Sequence, residues 1–242
     1  SLTHGTTRRH PNGKSMPPET ESPFNPLPPV VIALAVVILG VELLFTLGQR
    51  GIIGGPEAVG WRLTAIREFG FFDPVFDWMI AHGRFPIEHM RRFVTFPLMH
   101  MNFTHAVFVA IFILAIGKMV GEVLGNVAVF SLFFFSSIVG ALVYSLVLTT
   151  ELPLVGGYPG VYGRIGAYTF LLWVSLVATG GNQYRAFTLI GVLLGIQLFF
   201  AAFFNPGNDW VADIAGFAAG FLLSFVVSPG GWQRVLGKLR QR

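Results

Sequence analysis

The chain has 242 residues, 53% of them hydrophobic and 12% charged, with a mean hydropathy of +0.67. A soluble domain carries about 25% charged residues, so this composition excludes an ordinary water-soluble fold and points to a polytopic membrane protein. Lys and Arg number 16 against 12 for Asp and Glu, an excess that in a membrane protein serves topology and lipid contact rather than nucleic-acid binding. No residue is cysteine, which excludes disulfides, thiolate nucleophiles and cysteine metal sites. There is no tandem repeat and no phosphate-binding loop, and no cofactor is implied.

Residues 1–29 are polar and hold seven prolines. This stretch has too little apolar content to fold alone and reads as a disordered or extended tail. Val30–Gly48 is the first span, interrupted by Glu42, and its length suits a hydrocarbon core of roughly 30 Å. Gln49–Arg92 is a long connection. Pro56 can start a helix there, and Trp61, Phe69, Phe71, Phe72, Phe76 and Trp78 supply an aromatic face among scattered charges. Such aromatics favour the membrane–water boundary, so one or two interfacial helices are expected, with a packed loop as the alternative. Phe93–Gly117 is the second span, free of Asp, Glu, Lys and Arg but holding His100 and His105. Lys118–Asn126 reads as a turn and Val127–Thr149 as the third span. Gly156–Thr179 is the fourth, interrupted by Arg164, and Ala186–Phe204 the fifth. Trp210–Ser228 is the sixth, with Asp213 inside it. After Ser228 a basic tail, residues 229–242, holds Arg234, Lys238, Arg240 and Arg242 and no acid.

The fold class is therefore all-α, one six-helix membrane domain over residues 30–228 between two tails. Glycine lets helix backbones approach closely in lipid, where packing must replace the hydrophobic effect. Gly160, Gly163 and Gly166 in the fourth span, and the Gly216–Gly220 pair in the sixth, are the expected packing positions. Six spans put both termini on one side. That side gathers Arg8, Arg9, Lys14, Lys118, Arg185 and the C-terminal bases, whereas six bases in the first loop nearly balance five acids. The positive-inside rule then places both termini in the cytoplasm, with the bundle in the cell (inner) membrane.

Several motifs occur in a fixed order: Arg92-Phe93; Leu98-Met99-His100 with His105 five residues on; Gly117, Gly121 and Gly125; GGYPGVYGRIGA at 156–167; and ADIAGFAAG at 212–220. Together they resemble the rhomboid family of intramembrane serine proteases. The resemblance covers about residue 30 to 228. It implies a serine at the mouth of the fourth span and a histidine on the sixth, which takes the hydroxyl proton and returns it to the leaving amine. In the matching register the serine position is Tyr158, the glycine after it Pro159, and the histidine position Asp213. The oxyanion asparagine, four residues beyond the second histidine, corresponds to Val109. His100, His105 and Tyr162 match retained positions.

These replacements remove the mechanism that the resemblance implies. A phenol of ordinary pKa, about 10, is a poor acyl-transfer nucleophile without an adjacent base. Asp213 could in principle act as a base, but a carboxylate of ordinary pKa, about 4, is mismatched to a hydroxyl unless burial raises it. Val109 offers no hydrogen, and losing one oxyanion donor costs about 10²–10³ in rate. Pro159 lacks the backbone N–H that a glycine could aim at the oxyanion. Ser136, Ser137 and Ser145 lie in the third span with no base near them in sequence.

Ionisable residues inside spans are costly and are usually functional or paired. Asp213 has two compatible readings. It is a polar centre of the cleft hydrogen-bonded to Tyr158 or Tyr162, or a carboxylate satisfying free N–H groups at a helix start. Arg164 points about 120° away from the Tyr158–Tyr162 face of an ideal helix. It lies at the same depth as Glu42, roughly 9 Å below the outer boundary, so an interhelical Glu42–Arg164 pair is expected, with contact of one of them to a partner subunit as the alternative. His100 and His105, about 140° apart on one helix, read as buried, hydrogen-bonded histidines rather than a metal site.

Taken together, the expected function is that of a rhomboid-like pseudoprotease whose bundle binds transmembrane segments of client or partner membrane proteins, as inactive relatives of the family do. The alternatives are an active intramembrane endopeptidase with a rearranged site, and a fixed accessory subunit of a larger membrane assembly. Expected partners are transmembrane helices and, at the basic C-terminal tail, anionic lipid; nucleic acid is not among them.

Overall fold

A computed structural model describes residues 26–204 and 208–228. The tails expected at 1–29 and 229–242 lie almost wholly outside the described residues. The helices are α1 Pro29–Gln49, α2 Trp61–Phe69, α3 Asp73–His82, α4 Ile87–Met90, α5 Arg92–Thr95, α6 Phe103–Val147, α7 Tyr158–Thr179, α8 Thr188–Phe204 and α9 Trp210–Val227.

Among the described residues α1, α6, α7 and α9 are long and apolar enough to cross a membrane. The 45 residues of α6 would extend about 67 Å if straight, more than twice a hydrocarbon core of roughly 30 Å. They are two crossings joined at Gly125, whose φ of 82° and ψ of 171° break the helix. That region of backbone space is essentially closed to residues with a Cβ. The 17 residues of α8 sit at the short end of the spanning range. With these, the fold is a six-helix membrane bundle.

Two boundaries differ from the sequence reading. The second crossing starts at Phe103, not Phe93, because Pro97 sits in a 3-10 turn and Asn102 caps the helix, its Oδ1 accepting from His105 N at 2.9 Å. The turn expected at Lys118–Asn126 is helical except at Gly125. The first loop does hold helices, α2 and α3, but its aromatics do not form one outward face. Phe71 is buried, with Phe93, Phe96 and Phe76 around it, in a core shared with Tyr144 and Leu154. A reciprocal pair of backbone hydrogen bonds, Phe71 N to Leu154 O and Leu154 N to Phe71 O, ties this loop to the approach to α7. Trp61 and Trp78 remain exposed.

The expected packing glycines carry the centre of the bundle. A methyl on Gly220 would run into the backbone of Gly163, and one on Gly166 into the Phe217 carbonyl. One on Gly216 would meet the Pro159 carbonyl, and one on Gly163 the Ser136 hydroxyl. Gly160 faces the Phe133 ring with no room for a side chain. Thus α7 and α9 touch backbone to backbone, and the second half of α6 closes on both. Gly117 and Gly121 do the same for α1, against Val31 and Pro28.

By contrast, a methyl on Gly195 in α8 meets nothing within 4 Å. Gly220→Ala should therefore destabilise the detergent-solubilised protein by at least about 2 kcal/mol, whereas Gly195→Ala should leave its thermal melt unchanged. Equal melts for the two variants would contradict the close α7–α9 approach.

Candidate functional site

The mouth of α7 is built from three glycine-dependent contacts. Gly156, at φ 105°, passes directly under the His105 ring; an added Cβ would lie 2.5 Å from Cε1. Gly157 abuts Val109, whose Cγ1 would be 2.8 Å from a Cβ there. Tyr158 then opens the helix and Pro159 follows in its first turn, where the missing N–H costs nothing. Pro159 is also a wedge. It fills the space left by Gly140 of α6 and Gly216 of α9.

Above this mouth the rings are stacked in series. Tyr158 lies almost parallel to His105, with centroids 5.0 Å apart and planes at 18°. His105 meets His100 edge-on, also at 5.0 Å. The two histidines therefore come together, contrary to the wide separation expected on a single helix; the chain between them is a turn, and α6 begins only at Phe103. His100 is buried, and its Nε2 accepts a long hydrogen bond from Gly157 N at 3.4 Å. Burial, then the neighbouring His105, pushes the His100 pKa down to about 3, so the ring is neutral at physiological pH.

The His100 backbone is fixed from the other side. Arg62 of α2 donates Nη1 to the His100 carbonyl at 2.9 Å. The same guanidinium makes a two-point contact with the Glu42 carboxylate, both distances 2.7 Å, and Thr46 adds a third donor at 3.1 Å. Glu42 thus pairs with Arg62, not with Arg164, because α2 folds back over the end of α1 and reaches it first. Arg164 is fully buried, its guanidinium 4.7 Å from the centre of the Phe133 ring, and its nitrogens reach no acceptor among the described residues.

Below the mouth, a cleft of about 550 Å³ lies between α6, α7, α8 and α9. Phe108, Phe112, Val161, Ile165, Leu193 and Ile196 make its apolar wall; Tyr158, Tyr162, Gln197, Asp209, Trp210 and Asp213 make its polar end. No hydrogen bond joins Asp213 to either tyrosine among the described residues. Gln197 stands between them, donating Nε2 to Asp213 Oδ2 at 2.6 Å and accepting from the Tyr162 hydroxyl at 3.1 Å. Gln197 was not singled out from sequence, although it is the lone polar side chain between Leu189 and Phe204, a usable signal in a membrane helix. Arg164 does not line the cleft, in keeping with its helical phase.

The serines of α6 lie elsewhere. Ser137 donates to the Phe133 carbonyl at 2.8 Å. Ser145, expected to have no base near it, donates to the Asp73 carboxylate across 72 residues of sequence, and Asp73 also accepts from Thr150 N at 3.3 Å. Neither serine lines the cleft.

A model of the rhomboid domain matches residues 88–230, more than half of the chain. The chain belongs to the rhomboid family. No curated protein matches it significantly. The rhomboid frame covers the second to sixth crossings, so Tyr158, Val109 and Asp213 fall inside it, while Glu42 and Arg62 lie before it. In this rhomboid the wall formed by α7 and α9 presents a phenol and a carboxylate at the positions that the family resemblance assigns to serine and histidine.

The Glu42 assignment is open to a direct check. Removing one partner of a buried ion pair costs about 3–5 kcal/mol. Glu42→Gln and Arg62→Met should each destabilise, and their double mutant should lose far less than the sum. Glu42→Gln combined with Arg164→Met should be additive within about 0.5 kcal/mol. Strong coupling of Glu42 to Arg164 instead would restore the pairing discarded above.

Proposed function

We propose that this rhomboid-family chain is a non-catalytic binder of transmembrane segments, holding one in the cleft between α6, α7, α8 and α9. The observation that carries this reading is the content of the cleft. Its polar end offers hydrogen-bonding groups, but no serine is among its described lining residues. His105, the one imidazole there, lies flat on the Tyr158 ring, a stacking geometry unsuited to taking the phenolic proton. Val109 presents methyl groups beside Gly157, and Pro159 presents no N–H. What remains is an apolar wall sized for side chains of a helix, bounded on one side by α8, whose glycines meet no neighbour.

The charge bias of the sequence supports a cytoplasmic position for both ends of the bundle, in the cell membrane, with the cleft mouth on the opposite side. Fixed membership in a larger assembly would use the same ability to hold a foreign helix.

A photo-crosslinking amino acid at Ile196, a cleft-lining position on α8, tests the proposal against the same group at Val36, which is exposed on α1. A single-pass apolar peptide should crosslink at Ile196 and not at Val36, and should be recovered uncut. Leu193→Trp, filling the cleft, should weaken the crosslink roughly tenfold. Equal crosslinking at both positions, or recovery of two peptide fragments, would overturn the reading.

A further inference from the structure

We propose that the cleft selects transmembrane segments carrying a basic side chain near the end of their apolar stretch, received by Asp213 among the rings of Tyr158, Tyr162 and Trp210. This rests on the client-binding reading above and names the clients it favours.

Asp213 is only 3% exposed, yet it lines the cleft. Its Oδ2 is held by Gln197, but Oδ1 is buried with no hydrogen-bond partner among the described residues. A buried acceptor left unpaired costs about 1–3 kcal/mol, more when it is charged. The interior therefore lacks one donor, on a residue that also lines the cleft. An ammonium or guanidinium group supplies it with a charge-assisted bond.

The rest of the cleft suits a cation as well. Asp209 adds a second carboxylate at the rim, and three aromatic side chains line the same end. Ring faces attract cations most when water is excluded. Among the described residues no Lys or Arg lines the cleft. Arg62 is already committed to Glu42, and Arg164 lies against Phe133. Asp213 is the fourth residue of α9, about 4.5 Å inside the helix start. A matching base would therefore sit about one turn inside the client's apolar stretch.

The test uses three single-pass peptides, identical except for lysine, glutamine or norleucine at that depth, and measures their binding to the full chain in maltoside micelles free of amine lipids. The lysine peptide should bind at least about tenfold tighter than the norleucine peptide and clearly tighter than the glutamine one. Asp213→Asn can still accept from Gln197, so it should melt like the wild type, while the advantage of the lysine peptide over the norleucine peptide should be lost.

Equal binding of lysine and norleucine peptides would overturn this inference and leave client binding standing. So would a lysine preference that survives Asp213→Asn, or equal lysine and glutamine affinities, which would mark a site for any donor. In a further arm phosphatidylethanolamine is added to the same micelles; its binding, with no preference among the peptides, would assign Asp213 to a lipid headgroup and overturn the inference too. If no peptide binds at all, the client-binding reading falls, and this inference with it.

Discussion

The backbone contact between α7 and α9 is the constraint from which the rest follows. In lipid, two helices gain nothing by hiding apolar side chains from each other, because the tails are equally apolar. Close approach must supply the attraction, and here it is achieved with Gly163 and Gly166 facing Gly220 and the Phe217 carbonyl. Once these backbones meet, the starts of the two helices are fixed against each other. Gly216 receives Pro159, and Asp213 and Tyr162 are brought within reach of a single Gln197 side chain. The chemistry available at the cleft is a consequence of that packing and of which side chains occupy the first turns.

A second framework holds the opposite wall. Glu42, Arg62 and the His100 carbonyl link α1, α2 and the entry to α6. His100 and His105 then carry that order to Gly157 and Tyr158 through ring contacts and one long hydrogen bond. The buried carboxylate of this framework is fully partnered, whereas the buried carboxylate of the cleft is not. The contrast separates a structural charge from one that lines the cleft.

Much of this was legible in the sequence, for identifiable reasons. Apolar runs announced the six crossings, and the glycine spacing announced the close-packing positions on α7 and α9, because both depend on local composition; that these two helices face each other appears only in the structure. The order of motifs announced the family. The partner of Glu42 was not legible: equal depth made Arg164 plausible, but the choice depended on how α2 folds back, which no local pattern encodes. The separation of His100 from His105 failed because an unbroken helix was assumed through Pro97 and Asn102. Phe71 and Phe76 looked like boundary residues, and their burial depended on a long-range pairing with Leu154. Gln197 carried a signal, its isolation in an apolar run, that was passed over.

The proposed function stands on a bundle whose α7 and α9 are packed backbone to backbone while no serine is among the described residues lining its cleft. Fluorophosphonate labelling of the purified chain measures this most directly, with adducts located by mass spectrometry. The wild type should give none, and a variant carrying Tyr158→Ser, Pro159→Gly, Asp213→His and Val109→Asn should label at position 158. An adduct on any side chain of the wild type, accompanied by cleavage of a membrane-embedded peptide, would contradict it.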